Sequence, residues 1–173
     1  YCRGCAGVER GEVLRYLIRH ALLCFATRDR ETCRGGDRRA GLLPARAHVS
    51  AADHERAIEL REAIRALAGG DDTATRTVNA AAERAGLHPV LGDEGSTLEP
   101  TAGGVDAALG RIVAALHASV TEGTWPRLKT CERDVCRWAF YDHSKNHSGH
   151  WCSMAGCGSR EKNRRAYRRR VSR

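Results

Sequence analysis

The chain has 173 residues, room for one ordinary domain or one domain with a small appendage. Apolar residues make up 42% but aromatics only 5%, so any core is built from alanine and aliphatic side chains. Residues 1–128 balance 17 Lys and Arg against 17 Asp and Glu. Residues 129–173 carry 12 against 4, so the whole net charge of +8 lies there and favours a polyanionic partner. No stretch approaches 18 consecutive apolar residues, which excludes a transmembrane helix of ordinary type.

Residues 1–40 are read as an uncertain N-terminal segment, because the chain begins at Tyr1 and its single methionine is Met154. Within it, Leu14, Leu17, Ile18, Ala21 and Leu22 fall at helical spacing and predict a helix over 12–26. Arg15, Arg19 and His20 interrupt that stretch, so it does not read as a secretory signal, and a cytoplasmic protein is expected. Residues 30–44 read as a charged, glycine-broken loop. Cys2 and Cys5 have the spacing of half a metal site.

Helical signals then come in order. Ser50 is placed to cap a helix with Asp53 in its first turn, Ala57, Leu60, Ile64 and Leu67 inward, and Gly69-Gly70 ending it. A second helix starts after Asp71-Asp72 and stops at Gly86, with Val78, Ala81, Ala82 and Ala85 inward. Val90-Leu91 and Thr97-Leu98 flank Gly92–Gly95 and predict a short β-hairpin. A third helix spans about 105–121, its stripe running Val105, Leu109, Ile112, Val113, Leu116 and Val120, with His117 at the core's edge. Gly123-Thr124-Trp125-Pro126 ends it and hinges into the cysteine-rich segment. The acidic residues Asp53, Glu55, Glu59 and Glu62 sit where a solvated helix face carries them, and residues 1–128 offer no catalytic constellation.

The last segment holds four of the eight cysteines, Cys131, Cys136, Cys152 and Cys157, as two C-x4-C pairs fifteen residues apart. A structural zinc ion wants four ligands in a closed tetrahedron, and two short pairs of thiolates can supply them. The interval between the pairs allows a strand or hairpin excursion. Two disulfides are the competing reading, but they need an oxidising compartment. His143, His147 or His150 replacing one thiolate is another, since imidazole also binds zinc. Trp138, Phe140, Trp151 and Met154 are the expected core of so small a module, and zinc is expected to supply the rest of its stability.

After Cys157 runs GSREKNRRAYRRRVSR, which predicts a basic helix capped by Ser159. Arg160, Arg164 and Arg168 form one row of it, with Lys162, Arg165 and Arg169 alongside, Arg170 next in the chain, and Tyr167 among them. These are the expected nucleic-acid contacts, because the guanidinium fork suits phosphate and guanine edges alike. Arg137 and Lys145 are a second candidate surface.

Cys131, Cys136, Trp138, Phe140, DHSKN at 142–146, WCSM at 151–154 and CGSR at 157–160 together resemble the CGNR zinc finger. That module follows an N-terminal domain called ABATE in bacterial stress-induced transcription regulators. GLL at Gly41, LREAI at Leu60 and the Asn79 and hairpin region resemble the ABATE pattern more weakly. The motif asparagine is Ser159 here, and no LDFANT-like start occurs in residues 1–40.

The expected architecture is therefore mainly α with a small β-hairpin. It comprises the uncertain segment 1–40, an ABATE-like helical domain over 41–124, and a four-cysteine zinc module with a basic C-terminal helix over 125–173. The resemblance implies a zinc-dependent DNA-binding transcription regulator, acting on double-stranded DNA and stress-responsive. A protein-interaction adaptor docking on transcription machinery, or a non-selective RNA or DNA binder, is the alternative. An enzyme is not expected, since four thiolates leave zinc no position for a reacting water.

Overall fold

The computed structural model describes Leu43, residues 48–93 and residues 95–171. The expected helix over 12–26, most of the loop over 30–44 and the cysteines Cys2, Cys5, Cys24 and Cys33 lie outside them. The chain divides into two units between Trp125 and Pro126.

The first unit is helical. Helix α1 (Ala51–Ala68) opens on a capping box: the Asp53 amide donates to Ser50 Oγ, and the Ser50 amide donates to Asp53 Oδ2 at 2.8 Å. The bond from Ser50, foremost, holds the Asp53 carboxyl below its ordinary range. Ala57, Leu60, Ala63 and Ile64 are buried, and Leu67 is half-buried. After Gly69 and a single turn at Asp72–Ala74, helix α2 (Thr75–Ala85) buries Val78, Ala81 and Ala85 and ends at Gly86 in a left-handed conformation. Strands β1 (Leu87–Gly92) and β2 (Gly95–Pro100) pair antiparallel, Val90 opposite Thr97 and Gly92 opposite Gly95. The expected hairpin is present.

Helix α3 (Gly104–Thr121) carries the largest apolar face, with Ala107, Ala108, Leu109, Ile112, Val113 and Leu116 buried. It packs on α2 and on β2, while α1 packs on α2. Gly110 is where α3 comes closest to its neighbours. A Cβ there would stand 2.4 Å from that of Ala85 and 3.4 Å from Leu87 and Pro100, so only glycine lets the three elements meet. Two expectations fail at the far end of α3. Val120 is 55% exposed and His117 is exposed, since neither lies on the side of the last turn that is covered. The buried residue of that turn is Ser119, whose hydroxyl donates to the Leu116 carbonyl.

The second unit starts with strand β3 (Leu128–Thr130), which pairs antiparallel with β4 (Ala139–Tyr141) in the register Leu128–Tyr141. The first cysteine pair forms the loop between them. A wide five-residue turn, Met154–Gly158, passes without a break into helix α4 (Ser159–Val171). Among the described residues, no helix is long and apolar enough to cross a membrane.

Candidate metal centre

Each cysteine pair occupies a turn that the local sequence dictates. Cys131 follows β3 directly, and its amide donates to the Trp138 carbonyl. The chain then folds back on itself, with the Cys136 and Arg137 amides both donating to the Arg133 carbonyl and Arg137 adopting a positive φ of 45°. At the second pair, Ser153 Oγ accepts from the Gly156 amide, and the wide turn carries Cys157 round towards Cys152. All four Sγ atoms lie within 4.8 Å of one another, with 3.7 Å between Cys136 and Cys152 and between Cys152 and Cys157. A tetrahedron of thiolates about 2.3 Å from zinc has edges of ~3.8 Å. Donor set and spacing both fit zinc.

Without a cation the thiols are uneven: burial opposes ionisation of Cys157, but hydrogen bonds, those with Cys136 and Cys152 foremost, lower its pKa. Burial, foremost, pushes Cys136 and Cys152 up, and neighbouring thiols push Cys152 further. A divalent ion at their centre supplies the charge that reverses this. His143, His147 and His150 are exposed and outside the quartet, and His150 Nδ1 instead meets Glu132 Oε1 at 2.5 Å. All four thiols are free, without a disulfide among them.

The module's interior differs from the expected aromatic one. Trp138 is 39% and Met154 56% exposed, and Phe140 and Trp151 are half-buried. A module this short cannot enclose four large side chains. It buries instead Leu128, Cys131, Cys157 and two carboxylates, Asp142 and Glu161, each 4% exposed.

Asp142 organises the loop between the cysteine pairs. Its carboxylate accepts from Lys129 Nζ at 2.8 Å, the Ser144 amide at 2.9 Å and the Gly149 amide at 2.8 Å. Lys129 Nζ also donates to the carbonyls of His147 and Gly149. The Lys129 bond, foremost, holds the Asp142 carboxyl far below the ordinary carboxylate range, against the burial that opposes it. A Cβ on Gly149 would stand 2.8 Å from Asp142 Oδ1, so this residue must be glycine for the loop to close. Sequence reasoning met Asp142 only as the first residue of the DHSKN motif, with no role given to it, and did not single out Lys129. An Asp two residues before a serine, with a glycine five further on, was the available signal for such a loop.

Glu161 does the same for α4. Its carboxylate accepts from Arg164 Nε at 2.8 Å and Nη2 at 2.6 Å, and from Arg165 Nε at 3.3 Å. Bonds from Arg164, foremost, lower the Glu161 carboxyl. The Arg165 guanidinium lies 5.8 Å over the Trp151 ring. Arg160, Lys162, Arg164, Arg165, Arg168, Arg169 and Arg170 are all exposed, as are Arg137 and Lys145. Ser159 is not the cap. It has helical dihedrals, and its hydroxyl donates to the Met154 carbonyl at 2.9 Å, while the cap of the combined turn and helix is Ser153.

A four-thiolate centre between a β-ribbon and a basic helix defines a zinc-finger protein. The CGNR zinc finger matches residues 127–170, and ABATE, described as "Putative stress-induced transcription regulator", matches residues 38–123. The chain belongs to the family in which an ABATE domain precedes a CGNR zinc finger. No curated protein matches it.

Proposed function

We propose that the chain is a DNA-binding transcription regulator whose zinc module presents α4 to duplex DNA. The observation that carries this reading is α4 itself: seven basic side chains in Ser159–Val171, all exposed, on a helix that starts two residues after Cys157. The family's description supports a role in transcription. The zinc is structural in this reading, since four thiolates complete its coordination and no catalysis is expected. The protein works in the cytoplasm, where reduced thiols suit zinc, and it responds to stress through a signal received by its helical unit.

Arg164 and Arg165 share Glu161, and about five phosphate contacts are expected from α4. Duplex affinity is then expected to fall with salt at a log–log slope of roughly −4 to −5. Fluorescence anisotropy of the zinc-loaded chain on duplex DNA, across a salt series, measures this. A flat response, or full binding after zinc removal, overturns the reading.

An adaptor that docks on an acidic protein such as transcription machinery is the second reading. It is favoured by Tyr167 and Val171, exposed one helical turn apart among the arginines. Retention on an acidic partner without retention on DNA decides for it. Equal affinity for RNA and DNA of any sequence decides for a non-selective binder.

A further inference from the structure

The basic residues of α4 are not equivalent. Only one acidic residue occurs in Ser159–Val171, Glu161, and it is buried. It takes two donors from Arg164, through Nε and Nη2. A guanidinium has five N–H groups, so three remain, including both on Nη1. That end of the fork belongs to a side chain 44% exposed, and its other charged neighbour is Asp134, 3.9 Å from Nη2. Arg165 gives Glu161 only a longer bond through Nε and is otherwise held over Trp151.

Two consequences follow for Arg164. The adjacent carboxylate offsets its charge, which weakens its pull on phosphate and the counterion release that accompanies it. The same carboxylate fixes the plane of the fork, so the parallel pair among the three remaining donors, one N–H on Nη1 and one on Nη2, keeps one orientation. A fixed donor pair is what the adjacent N7 and O6 acceptors of guanine require. Arg164 stands in the sixth position of α4, in the middle of the row formed with Arg160 and Arg168, within the stretch that meets base edges when a helix enters the major groove.

We infer that Arg164 is a specificity-determining residue that reads guanine in the major groove, and that Glu161 is the positioning residue that aims it. Arg169 and its neighbours hold the backbone. The inference rests on the DNA-binding reading and assigns the work within it.

The test starts by selecting a preferred site from a random-sequence duplex pool with the zinc-loaded full chain. Affinities are then measured for that site, for its single base-pair variants and for an unrelated duplex. R164K keeps the charge and loses the planar fork. It is expected to weaken binding to the selected site by roughly 5- to 100-fold, leave the unrelated duplex unchanged and preserve the salt slope. E161Q is expected to lose the same discrimination, while affinity for the unrelated duplex rises as the freed guanidinium turns to phosphate. R169A is expected to weaken every duplex alike and to reduce the slope by about one contact. Zinc content confirms folding, and R164K carries the test if E161Q does not fold.

R164K weakening all duplexes equally makes Arg164 a phosphate contact and overturns the inference. A parent chain that binds every sequence alike also overturns it, while leaving DNA binding intact. A parent chain that binds no duplex at any salt overturns both.

Discussion

The two units solve the problem of small size in opposite ways. The helical unit excludes water with alanine, leucine and isoleucine, and it brings α3 against α2 by removing a side chain altogether, at Gly110. The zinc module has only Leu128 as a buried aliphatic residue. It folds around four sulfurs and two carboxylates, each carboxylate held by cations or amides. The first strategy spreads stability over many weak contacts. The second concentrates it in a few strong ones, so the loss of one group is felt across the whole module.

The sharpest way to break the comparison is to remove the metal. Chelation is expected to unfold residues 126–171 and to leave α1 to α3 and the β1–β2 hairpin folded, since zinc supplies on the order of 10 kcal/mol in sites of this kind. Two of the three tryptophans, Trp138 and Trp151, lie in the module. Loss of their near-UV dichroism, with most far-UV helix signal retained, is the expected result. Amide exchange that rises equally in both units would contradict it.

Next in size is D142A. It strands Lys129 beside two half-buried backbone donors, at a cost of roughly 3 kcal/mol. The variant is expected to bind zinc more weakly in a competition titration and to leave the melting of the helical unit unchanged.

G110A is the counterpart on the other side. Alanine favours helix over glycine by about 1 kcal/mol, but a Cβ 2.4 Å from Ala85 forces α3 off α2. A net loss of roughly 1–3 kcal/mol is expected. Scanning calorimetry reads it as a lower melting temperature for the helical unit, with zinc affinity unaltered.

The smallest expected effect is that of S50A, about 1 kcal/mol at neutral pH, from loss of the α1 cap. Because the folded carboxyl of Asp53 is depressed, its contribution is present above its unfolded value of about 3.9 and is lost as pH falls through the folded one. The difference between S50A and the parent is therefore expected to shrink below about pH 4, as measured by thermal melts across acidic buffers.

Legibility in the sequence divides along the same line. The ends of α1 were legible because capping chemistry is local: Ser50, Asp53 and Gly69-Gly70 act within one turn of themselves. The hairpin was legible from Gly92 and Gly95, and the metal quartet from its spacing. The middle of α3 was legible from its stripe, but its final turn was not, since periodicity does not say which side of a terminal turn a neighbour covers. Gly110 gave no signal, because a small residue on an apolar face looks the same whether or not another element meets it. Asp142 and Glu161 were hidden for a different reason. A charged residue in a basic, polar segment reads as solvated, and only tertiary geometry shows that each is enclosed. The aromatic residues misled in the complementary way, since bulk alone does not secure burial in a module of this size.

The continuous passage from the wide turn into α4 has one more consequence. Each residue of a helix advances by about 100°, so Cys157 sets the angular phase of every arginine after it. One residue added between Cys157 and Arg160 would keep all ligands and all charges, yet swing the Arg160, Arg164 and Arg168 row a quarter-turn or more away from its present azimuth. The C-G-S-R stretch thus works as a clocking device. It ties the compass bearing of the basic row to the metal, and net charge alone does not record that bearing.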